Sequence, residues 1–186
     1  MALPDSLKLT VGTAIVLADT THSPAAATNL GTRTDQINLT SLAALAARQS
    51  AKFDFTANRA PLYRMMAAIE FATAPAAGEL VDFYLAFSPN ATAANANPGG
   101  VSGSDAAYTG YSSNLADSLK QLTYIGSMVA TVQATTTIQI ANIGVFTPLA
   151  RYASLVVVNN SAADAFVADA VEMSVLIEPI ERQIQD

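Results

Sequence analysis

The chain has no cysteine and no tryptophan among its 186 residues, and one histidine, His22. Without cysteine there is neither a disulfide framework nor a thiolate metal site, so packing and association with other chains must supply the stability. Charge is also scarce. Asp, Glu, Lys and Arg make up 13% of the chain, about half the usual share of a soluble domain. The 9 basic residues face 15 acidic ones for a net charge of -6, and no basic residue lies between Arg64 and Lys120. With no basic stripe to neutralise phosphates, no nucleic-acid partner is expected. No stretch approaches ~18 uncharged apolar residues, so no transmembrane helix and no membrane partner are expected. The opening MALPDSLKLTVG has no basic start followed by an apolar run, so it does not read as a signal peptide. The sequons at Asn38, Asn90 and Asn159 are then read as chance matches in an Asn/Thr/Ser-rich chain.

Apolar residues, by contrast, supply 51% of the chain. That is enough for a sizeable core in a single domain spanning residues 1–186. A surface so poor in charge must consist largely of Ala, Thr, Ser and Asn. Such a surface is cheap to desolvate and suits burial against another protein.

Period-two patterning recurs along the chain, and long amphipathic helices do not. Strands are expected at Leu7 to Ala18, Arg33 to Thr40 and Ser50 to Ala57, where Phe53 and Phe55 share a face. Leu42 to Arg48 fits a short helix or a strand equally. Leu62 to Thr73 sets Tyr63, Met65, Ala67, Ile69 and Phe71 against Arg64, Met66, Ala68 and Glu70. Leu80 to Phe87 points Val81, Phe83, Leu85 and Phe87 inward, with Asp82 and Tyr84 outward. Across the turn at Pro75 and Gly78 these two segments read as an antiparallel hairpin.

A long Asn/Gly/Pro/Ser-rich loop spans about 88–114 and reads as an arm or contact loop that orders against a neighbour, with Tyr108 and Tyr111 as anchors. A helical turn is expected at Asn114 to Ser118. Strands follow at Leu119 to Val132 and Thr135 to Phe146, where the change of parity between Ile138/Ile140 and Ile143/Val145 places a β-bulge near Asn142 or Gly144. Arg151 to Asn159 is a continuous apolar run, as in a strand buried on both faces. Ala170 to Ile177 alternates again. An N-terminal arm at about 1–6 and a polar tail at about 180–186 complete the chain. About eight strands joined by turn-rich connections give an all-β fold, a two-sheet antiparallel sandwich. A jelly roll is the favoured topology and an immunoglobulin-like sandwich the alternative.

The inventory for chemistry is thin. His22 lies in a Thr/Ser/Pro loop with no G-x-S-x-G turn to supply a nucleophile. Asp164 and Asp169 flank Phe166 without a calcium-loop pattern and read as solvated loop acids. Glu70 and Asp82 are expected to face each other across the hairpin, but without the cleft and tryptophan platforms that glycosidase chemistry uses. Gly99, Gly100 and Gly103 have no following lysine or helix, so they do not form a phosphate cradle. No enzyme activity, catalytic residue, cofactor or metal is expected. For carbohydrate binding, Tyr84, Tyr108 and Tyr111 are the candidate aromatic platform.

The stretch FTPLARYASLVVVNNSAADAF (Phe146 to Phe166), followed by VEMSVLIEPIERQ, resembles tailed-bacteriophage virion proteins of the small β-sandwich kind. There a Pro-x-x-Arg-Tyr segment leads into a buried strand, an Asn-rich turn and a last strand. The resemblance covers the last third of the chain and implies a capsid decoration or cement protein located on the virion and assembled in the host cytoplasm. Its implied partners are the major capsid protein and copies of itself, with a trimer favoured. A carbohydrate- or receptor-binding module of a phage tail or fibre is the alternative. Arg151, just ahead of the buried run, is expected either to pair with a carboxylate or to cap carbonyls at the sheet edge, with Tyr152 packed beneath it.

Overall fold

The computed structural model describes residues 13–56, 59–134, 137–169 and 171–180. The N-terminal arm, most of the C-terminal tail and the Leu7 end of the first expected strand lie outside these. The chain forms β1 (Ile15–Ala18), β2 (Asp35–Gln36), β3 (Ala47–Gln49), β4 (Phe53–Asp54), β5 (Tyr63–Ile69), β6 (Leu80–Ser88), β7 (Ala106–Ala107), α1 (Leu115–Leu119), β8 (Thr123–Val129), β9 (Gln139–Phe146), β10 (Tyr152–Asn159) and β11 (Ser174–Pro179). Two sheets result, ordered β2-β1-β11-β5-β9 and β7-β3-β10-β6-β8, with β4 also pairing β10. All pairings are antiparallel except β1 with β2. The architecture is the expected all-β sandwich.

The alternation that predicted faces holds. Tyr63, Met65, Ala67 and Ile69 of β5 meet Val81, Phe83 and Leu85 of β6 in the core between the sheets. The predicted hairpin does not form. β5 lies between β11 and β9, and β6 lies between β10 and β8. The connection through Pro75 and Gly78 instead carries the chain from one sheet to the other, across the roughly 10 Å that separates packed sheets. Alternation reports which face is apolar, not which strand lies alongside.

One end of the sandwich is plugged by aromatic rings. Phe55 sits edge-on to Tyr63 at 4.9 Å and to Phe53 at 5.3 Å, with Phe87 and Phe146 around them. The Tyr63 hydroxyl accepts the Ala60 N–H at 3.1 Å, so its buried oxygen is satisfied. Phe71 and Phe166 meet edge-on at 5.4 Å at a separate bridge.

Several strands are shorter than their sequence patterns suggested. Of Arg33 to Thr40 only Asp35–Gln36 pairs, although Ile37 and Leu39 are buried beyond it. Ala47–Gln49 settles the ambiguous Leu42 to Arg48 segment as a strand at its end. Phe55 is buried past the end of β4. The last strand begins at Ser174, and the eighth begins at Thr123 because α1 occupies Leu115–Leu119. Asn114 caps that helix, its side chain accepting the Asp117 N–H at 3.2 Å.

The long loop is the main departure from expectation. It is packed on the outer face of its own sheet. Val101, Tyr108 and Leu122 form a second apolar cluster with Ala47 and Ala86 and with Val156 and Val158 of β10. β10 therefore sends Ala153, Leu155 and Val157 into the main core and Val156 and Val158 into the second one, which is why its sequence is apolar without alternation.

Polar contacts fasten the same loop. The Lys52 ammonium donates to the carbonyls of Asn90, Thr92 and Asn95 at 3.0, 2.8 and 2.9 Å and to Ser88 Oγ at 3.1 Å. Burial pulls the Lys52 pKa down, while this cage of oxygens favours the charged form. Asp105 accepts from Arg48 Nε at 2.7 Å, the Asn38 N–H at 3.1 Å and Gln36 Nε2 at 3.2 Å. At Gly103, where φ is 72°, a Cβ would lie 2.1 Å from the Ala93 carbonyl oxygen. Gly99 meets a different constraint, since a Cβ there would lie within 3 Å of Leu122, Ser118 and Tyr108.

Candidate functional site

β8 and β9 are the last strands of their sheets, and they lie on the same side of the sandwich. Each carries one extra residue. In β8 the register with β6 jumps past Ile125, and in β9 the register with β5 jumps past Ile143. Both bulged isoleucines pack against the main core. Each is followed by a glycine, and these bring the two edges together. A Cβ on Gly126 would lie 2.2 Å from the Ile143 carbonyl oxygen, and one on Gly144 would lie 2.6 Å from that of Ile125. Bulges increase local twist and bend the strand, and here they fold two edges toward each other.

Further along, the Gln139 side chain continues the seam. Its Oε1 accepts the Thr131 N–H at 2.8 Å and its Nε2 donates to the Thr131 carbonyl at 2.9 Å. A shallow cleft of about 280 Å³ opens there, lined by residues that include Met128, Val129, Ile138 and Ile140.

The predicted bulge in β9 is thus at Ile143–Gly144. It returns Val145 to the outward face that Ile140 also occupies, rather than leaving it opposite. Tyr124 and Val129 stand outward beside the seam on one sheet, 53% and 57% exposed, and Ile140 and Val145 on the other, 42% and 57% exposed. Val132 and Leu149, in the segments that follow β8 and β9, are exposed as well. No charged residue occurs between Lys120 and Arg151. Natural sheet edges are normally guarded by charge or proline. This rim has a close backbone approach at its centre and uncharged side chains around it.

On the outer face of the second sheet, next to this rim, three cross-strand pairs line up: Leu80 with Val129, Asp82 with Ser127, and Tyr84 with Tyr124. The loop covers the β3/β10 half of that face and packs against Tyr84, so that Asp82, Tyr84 and Ser127 are half-buried while Leu80, Tyr124 and Val129 are exposed. The tyrosine rings are 5.3 Å apart and inclined at 59°. The Tyr124 hydroxyl bonds Ser127 Oγ at 2.6 Å, which lays the ring along the strand. Ser127 Oγ and Asn160 Nδ2 both donate to the Asp82 carboxylate. Burial, then the Asp82 charge and the neighbouring Tyr124, push the Tyr84 phenol up and keep it neutral.

The residues singled out from sequence fall elsewhere. His22 lies in the turn after β1, and its ring nitrogens are buried without a hydrogen-bond partner among the described residues. Glu70 and Asp82 belong to different sheets and do not face each other. Asp164 accepts from Thr73 Oγ1, and Asp169 accepts the Val171 N–H at 3.0 Å, both as loop-stabilising acids. No group of three His or acidic side chains suited to a metal occurs among the described residues. Tyr108 is buried, donating to the Gly99 carbonyl at 2.6 Å, so it belongs to no platform. Tyr111 is exposed on the far part of the loop. Tyr84 instead pairs with Tyr124, which the sequence reading passed over.

Arg151 finds its carboxylate in Asp54, with Nε and Nη2 at 2.9 and 2.8 Å, and lies over the Tyr152 ring at 5.1 Å. Comparison with known proteins finds no family model and no curated sequence that matches this chain.

Proposed function

We propose that this chain is a non-catalytic structural subunit of an assembly, and specifically a virion decoration or cement protein that binds copies of itself and major capsid subunits. The observation that carries this reading is the uncharged β8–β9 rim. Burying it against another protein costs no charge desolvation, and leaving Ile140, Val145, Val129 and Tyr124 in water has no benefit to a lone subunit.

The strand order supports the jelly roll over the immunoglobulin-like alternative. Counting only the eight principal strands, the sheets read β1-β11-β5-β9 and β3-β10-β6-β8. That is the first-eighth-third-sixth and second-seventh-fourth-fifth order of two interlocked Greek keys. The resemblance of Phe146 to Phe166 to virion proteins supports the location. The loop, being fastened to its own sheet, would contribute a preformed surface rather than an arm that orders on contact. The alternative, a glycan-binding module, has the Tyr84–Tyr124 pair as its one candidate platform.

Sedimentation of the purified chain and its co-sedimentation with capsid shells lacking it provide the test. An oligomer, with a trimer favoured, is expected, along with added mass on the shells. Val145→Lys should abolish both at an unchanged melting temperature. A wild-type monomer that leaves shells bare would refute the proposal.

A further inference from the structure

We propose that Asp82, with the exposed face of Tyr124, receives an arginine side chain from a partner protein. The fold itself contains a filled version of this arrangement. Arg151 pairs with both oxygens of Asp54 and lies over the ring of Tyr152 at 5.1 Å. Tyr124 and Asp82 offer a ring and a carboxylate from neighbouring cross-strand pairs rather than from one pair, without a guanidinium.

Among the described residues the ion pairs are Arg48–Asp105, Arg64–Glu178, Lys120–Asp117 and Arg151–Asp54, and Asp82 is in none of them. Its two hydrogen-bond donors, Ser127 and Asn160, are neutral. They fix the carboxylate in place without cancelling its charge. Each oxygen retains a lone pair for a planar, two-pronged donor.

The order of the cross-strand pairs fits an arginine along its whole length. Asp82 stands between the tyrosine pair and the aliphatic pair Leu80–Val129. The guanidinium can stack on Tyr124 while its methylene stem lies on Leu80 and Val129, both exposed. Guanidinium suits a stacked, forked site better than the compact lysine ammonium. A saccharide would also use the ring. The uncompensated carboxylate, on a protein of net charge -6, selects for a cation. Tyrosine and arginine are also the residues that dominate binding energy at protein interfaces.

This inference rests on reading the chain as an assembly subunit, because it takes the arginine from a partner. The test does not. The full chain is titrated with an acetylated, amidated Gly-Arg-Gly peptide while the Tyr84 and Tyr124 ring resonances are followed by NMR. Saturable shifts with a dissociation constant in the millimolar range, about what one exposed side chain can supply, are expected. The citrulline peptide should give no shift and the lysine peptide should bind several-fold more weakly. Asp82→Asn should weaken arginine binding by about tenfold or more, and Tyr124→Ala should remove it, each at an unchanged melting temperature.

Equal binding of the citrulline peptide or equal affinity in Asp82→Asn would overturn the proposal. So would an oligosaccharide series that shifts the rings where the arginine peptide does not. Arginine binding in a protein whose mass Val145→Lys leaves unchanged would retain this site while removing support for the rim.

Discussion

Glu70 follows the last residue of β5 and is buried, the residue being only 7% exposed. No hydrogen bond reaches its carboxyl among the described residues. Burial, reinforced by the nearby charges of Glu172 and Asp169, raises its pKa above the ordinary 4.5. The unfolded chain therefore loses this proton at lower pH than the folded chain does. Folding incurs no penalty below the ordinary value, and stability declines as pH rises through the elevated folded pKa. Glu70→Gln removes the penalty. The variant should melt about 2–4 °C above the wild type at pH 8, and the gain should vanish at pH 4. Thermal denaturation followed by circular dichroism at the two pH values measures this. A gain that is the same at both would assign the effect to packing rather than ionisation. The acidic neighbours that raise this pKa come from the segment leading into β11, so the contact joins positions a hundred residues apart and no local pattern in the sequence announces it.

At the scale of elements, Gly126 and Gly144 have a defined task. Each lies beside a bulge, and each faces the carbonyl preceding the other at a distance that leaves no room for a Cβ. Gly126→Val would force a side chain toward the Ile143 carbonyl oxygen and separate β8 from β9. Overpacking of this kind costs about 1–3 kcal/mol. Urea denaturation should show that loss, with hydrogen exchange rising first at β8 and β9. A fully stable variant with unchanged exchange would mean that the seam is slack.

What the sequence disclosed about these elements follows from the same physics. The inward faces of β5 and β6, the two-sided burial of β10 and the β9 bulge were legible, because period and parity are local properties. Sheet neighbours were not, since the β5–β6 connection is compatible with a hairpin or a crossover. The loop's own cluster was hidden because Val101, Tyr108 and Leu122 are widely spaced among polar residues. The rim had a plain signature, the absence of charge from Gln121 to Ala150. It became meaningful only when β8 and β9 proved to be edges on one side.

For the whole molecule, charge and apolar surface are distributed so that they act separately on association. The net charge of -6 resides outside the stretch that forms the rim. Copies meeting through β8 and β9 therefore make no attractive ion pairs there, yet repel each other through their overall charge. Salt should screen this repulsion, with a Debye length that falls from ~30 Å at 0.01 M to ~3 Å at 1 M, and leave the apolar contact intact. Self-association should accordingly strengthen as sodium chloride is raised, the opposite of an interface held by salt bridges. Sedimentation velocity across a series from about 0.01 M to about 1 M salt would show the oligomer boundary growing at the higher concentrations. An oligomer that dissociates as salt rises would require charged contacts, which the rim does not contain, and would move the self-association surface elsewhere on the molecule.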